Sequence, residues 1–266
     1  MYDIVSLSGG GPNGAYMLGA LNVLKNKKIV SDVHTYVGSS IGSLIAAICI
    51  SDKKFDATST LLQTIETEKI LSIDVDDFLT KFGMISSDKL KTFISVFIDY
   101  DMTFKEMYDT YHQKLVVCVT CLNTFSEEYF SVDTHPGMCI GDAIRMSCSI
   151  PLIFDYVEHD NKFYVDGGLT QVIPLSYLDT VQYTRCLCLC FDFVYKPIES
   201  FEDYMYCIIQ SCIQNKKTNY KDLDILKLRS DVDTGDSMSI YATPENIRDM
   251  YTSGEVQTVD FLKKIL

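Results

Sequence analysis

Ser40 stands between two glycines in Gly38-Ser39-Ser40-Ile41-Gly42. This pentapeptide fits G-x-S-x-G, in which a serine at a sharp strand-to-helix turn exposes its hydroxyl at a helix N-terminus. The turn crowds the backbone, so Gly38 and Gly42 flank it. The spacing nominates Ser40 as a nucleophile. Such a hydroxyl attacks an acyl carbonyl when a nearby base takes its proton.

A second pattern lies upstream. Gly9-Gly10-Gly11-Pro12-Asn13-Gly14 fits G-x-G-x-x-G, the fingerprint of a dinucleotide site. That site needs an acidic residue about 20 residues further on, at the end of the next strand. Here that strand ends in Val37-Gly38-Ser39, and Asp32 stands at its wrong end. A phosphate-binding P-loop is excluded as well, because no Gly-Lys-Ser/Thr follows. Three adjacent glycines can instead aim several N–H groups at one developing negative charge, as an oxyanion hole does. The base is the open question. Asp166-Gly167-Gly168 follows a strand-like run, yet Asp-Gly is also a common turn pair. The four histidines, His34, His112, His135 and His159, all precede Asp166. With Asp166 as the acid, the chain order Ser, acid, His of α/β-hydrolases is therefore not available. His135-Pro136 and His159-Asp160-Asn161 read as loop and turn.

These residues need elements to position them. Ile4 to Leu7 reads as a short buried strand, and Met17, Leu18, Leu21 and Leu24 then recur at helical spacing. Val33 to Val37 reads as a second strand, and Ser43 to Ile50 as an apolar helix. Strand–turn–helix, twice, argues a parallel sheet with covering helices. Helical patterns follow at Thr58 to Lys69 and Ser87 to Ile98, the latter with an N-cap offered by Ser87. Strands resume at Leu115 to Leu122, Glu128 to Val132, Tyr156-Val157, Phe163 to Val165 and Leu187 to Phe193, with a short helix at Asp142 to Ser149. Beyond Pro197 the pattern is mostly helical, clearest at Asp203 to Gln214 and looser at 219–228 and 249–266. No repeat or linker divides the 266 residues, so a single domain is expected over 1–266.

Composition removes whole classes. With 23 Lys+Arg against 36 Asp+Glu the net charge is −13. That lacks the cationic footprint of nucleic-acid binding and disfavours adsorption to anionic membranes. Weak, transient contact with neutral lipid stays open. The longest apolar stretch, Leu44 to Ile50, is far short of the about 20 residues a membrane span needs. Met1-Tyr2-Asp3-Ile4 has no basic flank and no apolar signal region, so an intracellular, cytoplasmic protein is expected. The ten Cys then read as reduced thiols. Cys118 and Cys121 form one CxxC with no second pair, inside a strand-like run. Cys186, Cys188 and Cys190 share one strand face. Core packing accounts for both sets, and no metal or cofactor is expected.

Taken together, the motifs resemble those of the patatin-like phospholipases. Gly9 to Gly14 resembles the family's oxyanion loop, and Gly38-x-Ser40-x-Gly42 its nucleophile elbow. Ser147-x-Ser149-x-Pro151 with Phe154 resembles the block before its last motif, and Asp166-Gly167-Gly168 the motif bearing its catalytic Asp. The motifs come in the family's order, and the likeness runs from about residue 3 to 190. The resemblance implies a three-layer α/β/α sandwich with a mainly parallel sheet. It also implies a Ser40–Asp166 dyad without histidine, an oxyanion hole from Gly9, Gly10, Gly11, Asn13 and Gly14, and hydrolysis of phospholipid or related lipid esters without a metal. Two positions depart: Asn13 stands where the family often has Lys or Arg, and Val172 where it often has Asn. On the residues alone, a Ser-His-Asp esterase or thioesterase using His135 or His159 stays open. So does an inactive lipid- or partner-binding module on the same scaffold.

Overall fold

Short apolar runs that alternate faces build the sheet. In β1 (Ile4–Leu7), Val5 and Leu7 join one core layer and Ile4 the other. In β9 (Cys186–Asp192), Leu187, Leu189 and Phe191 face the first layer, and Cys186, Cys188 and Cys190 the second. Burying each large apolar side chain contributes about 1.5–3 kcal/mol. The computed structural model describes residues 1–51, 60–61, 71, 82–192, 198, 204, 207–208, 221–232 and 242–265. The helices expected at Thr58 to Lys69 and Asp203 to Gln214 lie almost wholly outside these residues.

The main sheet runs β10 (Leu223–Arg229), β9, β1, β2 (Thr35–Ser39), β4 (Lys114–Cys121), β8 (Lys162–Asp166), β7 (Val157–His159), with β5 (Ser126–Ser131) also pairing β4. From β10 to β4 every pairing is parallel. The remaining strands are antiparallel. A separate pair joins β3 (Gly83–Ile85) to β6 (Leu152–Phe154). β4 carries two neighbours along one length. Its residues up to Cys118 pair with β2, which ends at Ser39 opposite Cys118. Its next residues pair with β8, which arrives from the opposite direction and ends at Asp166 opposite Val119. The ends of β2 and β8 therefore meet beside consecutive residues of β4.

One face of the sheet is covered by α1 (Gly14–Asn26), α2 (Ile41–Ile50), α3 (Ser87–Phe97), α4 (Phe104–Tyr111), α5 (Ile140–Cys148) and α7 (Pro244–Ile265). Over the other face, among the described residues, lies the 3₁₀ turn Leu175–Thr180, which follows the short helix α6 (Gly168–Gln171). The architecture is the expected helix-flanked, mainly parallel sheet. α1 and α7 cross at Gly19 and Gly254. An added Cβ at Gly19 would lie 2.0 Å from the Tyr251 carbonyl oxygen, and one at Gly254 would lie 2.1 Å from that of Tyr16.

Three expectations change. Residues 223–229 form a strand within the part read as mostly helical: Leu226 and Leu228 are buried while Ile225, Lys227 and Arg229 are exposed, a period of two. Ser86, not Ser87, caps α3, because Ser86 is the extended residue and its hydroxyl accepts the Asp88 N–H. α7 begins earlier than expected, at Pro244. Proline suits the first helical position, and the Thr243 hydroxyl before it accepts the Asn246 N–H.

Candidate active site

Ser40 leaves β2 and starts α2 with φ 53° and ψ −132°. That conformation is costly for any residue with a side chain, at about 1–3 kcal/mol, and persists only where its surroundings fix it. The surroundings here are specific. The Ser40 N–H donates to Ser147 Oγ at 2.8 Å, and Ser147 Oγ donates to the Cys118 carbonyl at 2.6 Å. The N–H and hydroxyl of Ser43 both donate to the Ser40 carbonyl. Gly38 and Gly42 are required sterically. A Cβ on Gly38 would sit 2.4 Å from the Gly42 carbonyl oxygen, and one on Gly42 would sit 2.4 Å from the Leu7 carbonyl oxygen.

Asp166 ends β8 directly beside this turn. Ser40 Oγ donates to Asp166 Oδ2 at 2.5 Å, and the Gly168 N–H donates to Oδ1 at 2.7 Å. The Asp166 main chain is fixed too: its N–H reaches the Ser149 carbonyl at 2.8 Å, and Thr120 Oγ1 donates to its carbonyl at 2.9 Å. Gly167 donates to the Ser147 carbonyl. The residues 147–149 thus hold the serine and the aspartate at once. Burial pushes the Asp166 carboxyl from 3.8 up to about 7, against the opposing hydrogen bonds from Ser40 and Gly168. A carboxylate that titrates near 7 is matched to accepting a proton at neutral pH.

The glycine loop packs on the elbow. A Cβ on Gly9 would lie 3.2 Å from Ser40 Cβ. The loop's N–H groups divide into two sets. Gly9 donates to the Val172 carbonyl at 2.8 Å, Asn13 to the Gly10 carbonyl at 3.1 Å, and Gly14 to the carbonyls of Gly11 and Pro12. Gly10 and Gly11 have no acceptor among the described residues. Of the five residues read from the sequence as an oxyanion loop, Gly9, Asn13 and Gly14 thus spend their N–H groups within the fold. Val172, where the side chain departs from the family pattern, ties the loop through its backbone. The Asn13 side chain is engaged elsewhere, accepting from Ser230 Oγ at 3.2 Å.

From Ser40 opens a cleft with a void of about 870 Å³, its mouth included. Ile41, Leu44, Ile48, Phe93 and Phe154 are among the residues lining it, and among the described residues Ser40 supplies the one hydroxyl in a wall otherwise of glycine and apolar groups. The four histidines are engaged elsewhere: His34 Nδ1 with Thr35 Oγ1, His112 at the C-cap of α4, His135 against Phe130, His159 against Asp160. Cys118, Cys121, Cys186, Cys188 and Cys190 are buried thiols. No three His, Cys, Asp or Glu residues converge as a metal site among the described residues. No helix among them is long and apolar enough to cross a membrane.

Sequence reasoning missed a clasp on α1. The Tyr16 hydroxyl donates to Asp231 Oδ1 at 3.0 Å and accepts the N–H groups of Asp231 and Val232 at 3.0 and 2.9 Å. Ser253 Oγ, on α7, reaches both Asp231 carboxylate oxygens. No local pattern marks bonds between residues 215 apart.

Comparisons with known proteins place the chain among lipid hydrolases and related folds. The chain is 31% identical over 186 residues to Probable lipid hydrolase 463L of Invertebrate iridescent virus 6, which covers 66% of this chain and 62% of that protein. It is 27% identical over 203 residues to Triacylglycerol lipase 4 of Saccharomyces cerevisiae, covering 65% of this chain and 22% of that one. The chain thus spans about three-fifths, or less, of the length of these relatives. Among solved structures, VipD of Legionella pneumophila shares the fold with a TM-score of 0.54 at 14% identity, covering 99% of this chain and 67% of that one. ExoU of Pseudomonas aeruginosa, solved with SpcU, gives 0.52 at 13%, covering 98% and 52%. The model of the patatin-like phospholipases matches residues 5–179, which include both the serine elbow and the aspartate. This chain belongs to the patatin-like phospholipase family.

Proposed function

We propose that the protein hydrolyses acyl esters of phospholipids or related lipids through Ser40 and Asp166. The observation that carries this reading is the bond from Ser40 Oγ to Asp166 Oδ2 at the head of an apolar cleft. Ser40 Oγ attacks the ester carbonyl carbon while its proton passes to Asp166 Oδ2. The carbonyl oxygen becomes an oxyanion, held by the N–H groups of Gly10 and Gly11. The tetrahedral intermediate collapses, the C–O bond to the alcohol breaks, and Asp166 returns the proton to that leaving oxygen. Water then attacks the acyl-serine. Asp166 takes its proton, the second intermediate releases the fatty acid, and Ser40 recovers its hydrogen. The cleft supplies the site for the acyl chain. The names of the viral lipid hydrolase and the yeast lipase support the substrate class.

A fluorophosphonate probe tests the assignment. It should label Ser40 stoichiometrically, and Ser40→Ala should lose both labelling and release of fatty acid from defined phospholipids. Full activity in a folded Ser40→Ala protein would overturn the reading.

A further inference from the structure

The hairpin between β4 and β5 stands at the catalytic edge of the sheet. Ser39 lies opposite Cys118, and β4 runs on to Cys121 before it turns. At about 3.3 Å per residue, the turn 122–125 stands roughly 10 Å past the level of the nucleophile. Phe125 in this turn has φ 54° and is 86% exposed. Left-handed backbone favours glycine or asparagine, and a bulky ring held there is strained. The ring also sits in water. An exposed bulky ring on left-handed backbone is an outlier that motivates a functional hypothesis.

Phe125 is not isolated. Leu122, in the same turn, is also exposed, and its N–H donates to the Phe163 carbonyl at 2.8 Å. The Phe163 ring meets Tyr156 edge-on at 5.1 Å, and Tyr156 is 40% exposed. Gly83 lies against the backbone of Phe154 and Asp155, and its neighbour Phe82 is a second exposed, left-handed phenylalanine. Phe154 lines the cleft. The exposed apolar side chains of Phe125, Leu122, Tyr156 and Phe82 therefore form a ribbon, linked by backbone contacts and one ring pair to the segment that carries Phe154 into the cleft. Contiguous exposed apolar surface marks an interaction site, whereas single residues do not.

Charge selects the partner. Residues 121–126 carry no charge. Of the carboxylates that follow, Glu128 is held by Lys162 and Tyr164, and Glu127 by Gln171 and Ser176. The whole chain carries −13. A second copy or an anionic bilayer would meet like charge, whereas a neutral surface would not. Aromatic rings suit the interfacial zone of a bilayer. We propose that this ribbon docks the protein on a zwitterionic lipid surface, with Phe125 as its inserted anchor and the cleft held against the bilayer. The choice of lipid over protein as the partner rests on the hydrolase reading.

The test uses vesicles of diether phosphatidylcholine, which have no ester to cleave, so that binding is read apart from hydrolysis. Wild-type protein should co-sediment with them. Phe125→Asn should bind about tenfold more weakly, the loss expected for one inserted apolar side chain. Asn tolerates the left-handed turn, so this variant should melt no lower than wild type and cleave a soluble short-chain ester at the wild-type rate. Replacing part of the phosphatidylcholine by an anionic lipid should weaken wild-type binding at low salt. Absent binding, equal binding by the two proteins, or stronger binding to the anionic vesicles would overturn the proposal. So would a dimer, seen without vesicles, that Phe125→Asn breaks, because the ribbon would then serve a second copy. Ether-lipid binding that depends on Phe125, in a protein that cleaves no ester, would uphold docking and sink the hydrolase reading. Hydrolysis of the soluble ester without vesicle binding would do the reverse.

Discussion

The elbow and the glycine loop meet at Ser40, but different parts of the chain hold them. Ser40 is fixed by Ser43, Ser147 and Asp166, and Asp166 by Thr120, Ser149 and Gly168. All of these residues are buried and lie within residues 5–179, the span of the family match. The loop has an inner tie to the Val172 carbonyl and an outer one through α1, where Asn13 and Tyr16 bond to residues 230–232. That outer tie lies beyond residue 179, and its Asp231 is exposed. Hydrogen bonds shut away from water are costly to lose, whereas water can replace exposed ones. The elbow side should therefore respond strongly to single substitutions, and the loop side weakly.

Asp166→Asn should have the largest effect. The amide keeps the shape but cannot take the serine proton, so kcat should fall roughly 10³-fold. Stability should move the other way. The folded carboxyl titrates near 7 against 3.8 for the ordinary group. Its contribution to stability is complete below about 4 and is lost as pH rises through 7, because the fold favours the neutral form. At pH 8 the wild type thus carries a penalty of at most about 4 kcal/mol that the amide lacks. Calorimetry should show Asp166→Asn melting higher than wild type at pH 8, with the gap closing near pH 4. For the wild type, kcat/KM on a soluble ester should rise about tenfold per pH unit below 7 and level off above it. A rate that falls as pH rises through 7 would contradict the base assignment.

Ser147→Ala comes next. It leaves the Ser40 N–H without its acceptor and removes a donor from the Cys118 carbonyl, at a cost of about 1–3 kcal/mol. The strained turn then loses one of its fixings. A small displacement of a nucleophile costs on the order of tenfold to a hundredfold in kcat. The apparent pKa of the rate profile should stay near 7, because Asp166 keeps its burial. Thermal melts and pH profiles on one preparation check both.

How much of this the sequence carries follows the same division. β1, β2 and β4 are legible because apolar runs mark buried strands, and Ser40 and Asp166 because each sits in a short motif. Ser147 stands in a recognisable block, but its role depends on β2 and β8 meeting at β4, which no local pattern encodes. The tie of the Gly9 N–H is equally hidden, because Val172, 163 positions later, brings its carbonyl there. The strand at 223–229 has a period of two, but it spans seven residues that include charged Asp224, Lys227 and Arg229, inside a part whose wider pattern reads as helix. The start of α7, by contrast, is marked locally by Thr243-Pro244, a capping hydroxyl followed by a proline at the first helical position.

Tyr16→Phe tests the loop side and should be the mildest of the three. The ring stays in the core beside Phe191, whose own ring packs on Gly10. Only the hydroxyl is lost, and with it the acceptor for the Asp231 and Val232 N–H groups. Asp231 keeps its bonds from Ser253, and water can reach the exposed carboxylate. The stability cost should be about 1 kcal/mol. The catalytic consequence passes through α1, whose N-terminus carries the loop. If the clasp sets the aim of the Gly10 and Gly11 N–H groups, their bonds to the oxyanion weaken in the transition state while ester binding in the apolar cleft is untouched. kcat should then fall a few-fold with KM unchanged, measured well below the melting temperature. Ser253→Ala should shift kcat in the same direction by less, since it removes one of the groups that hold Asp231. A rise in KM at constant kcat would place the effect in the cleft instead, and the outer tie would then serve the fold and not the oxyanion hole.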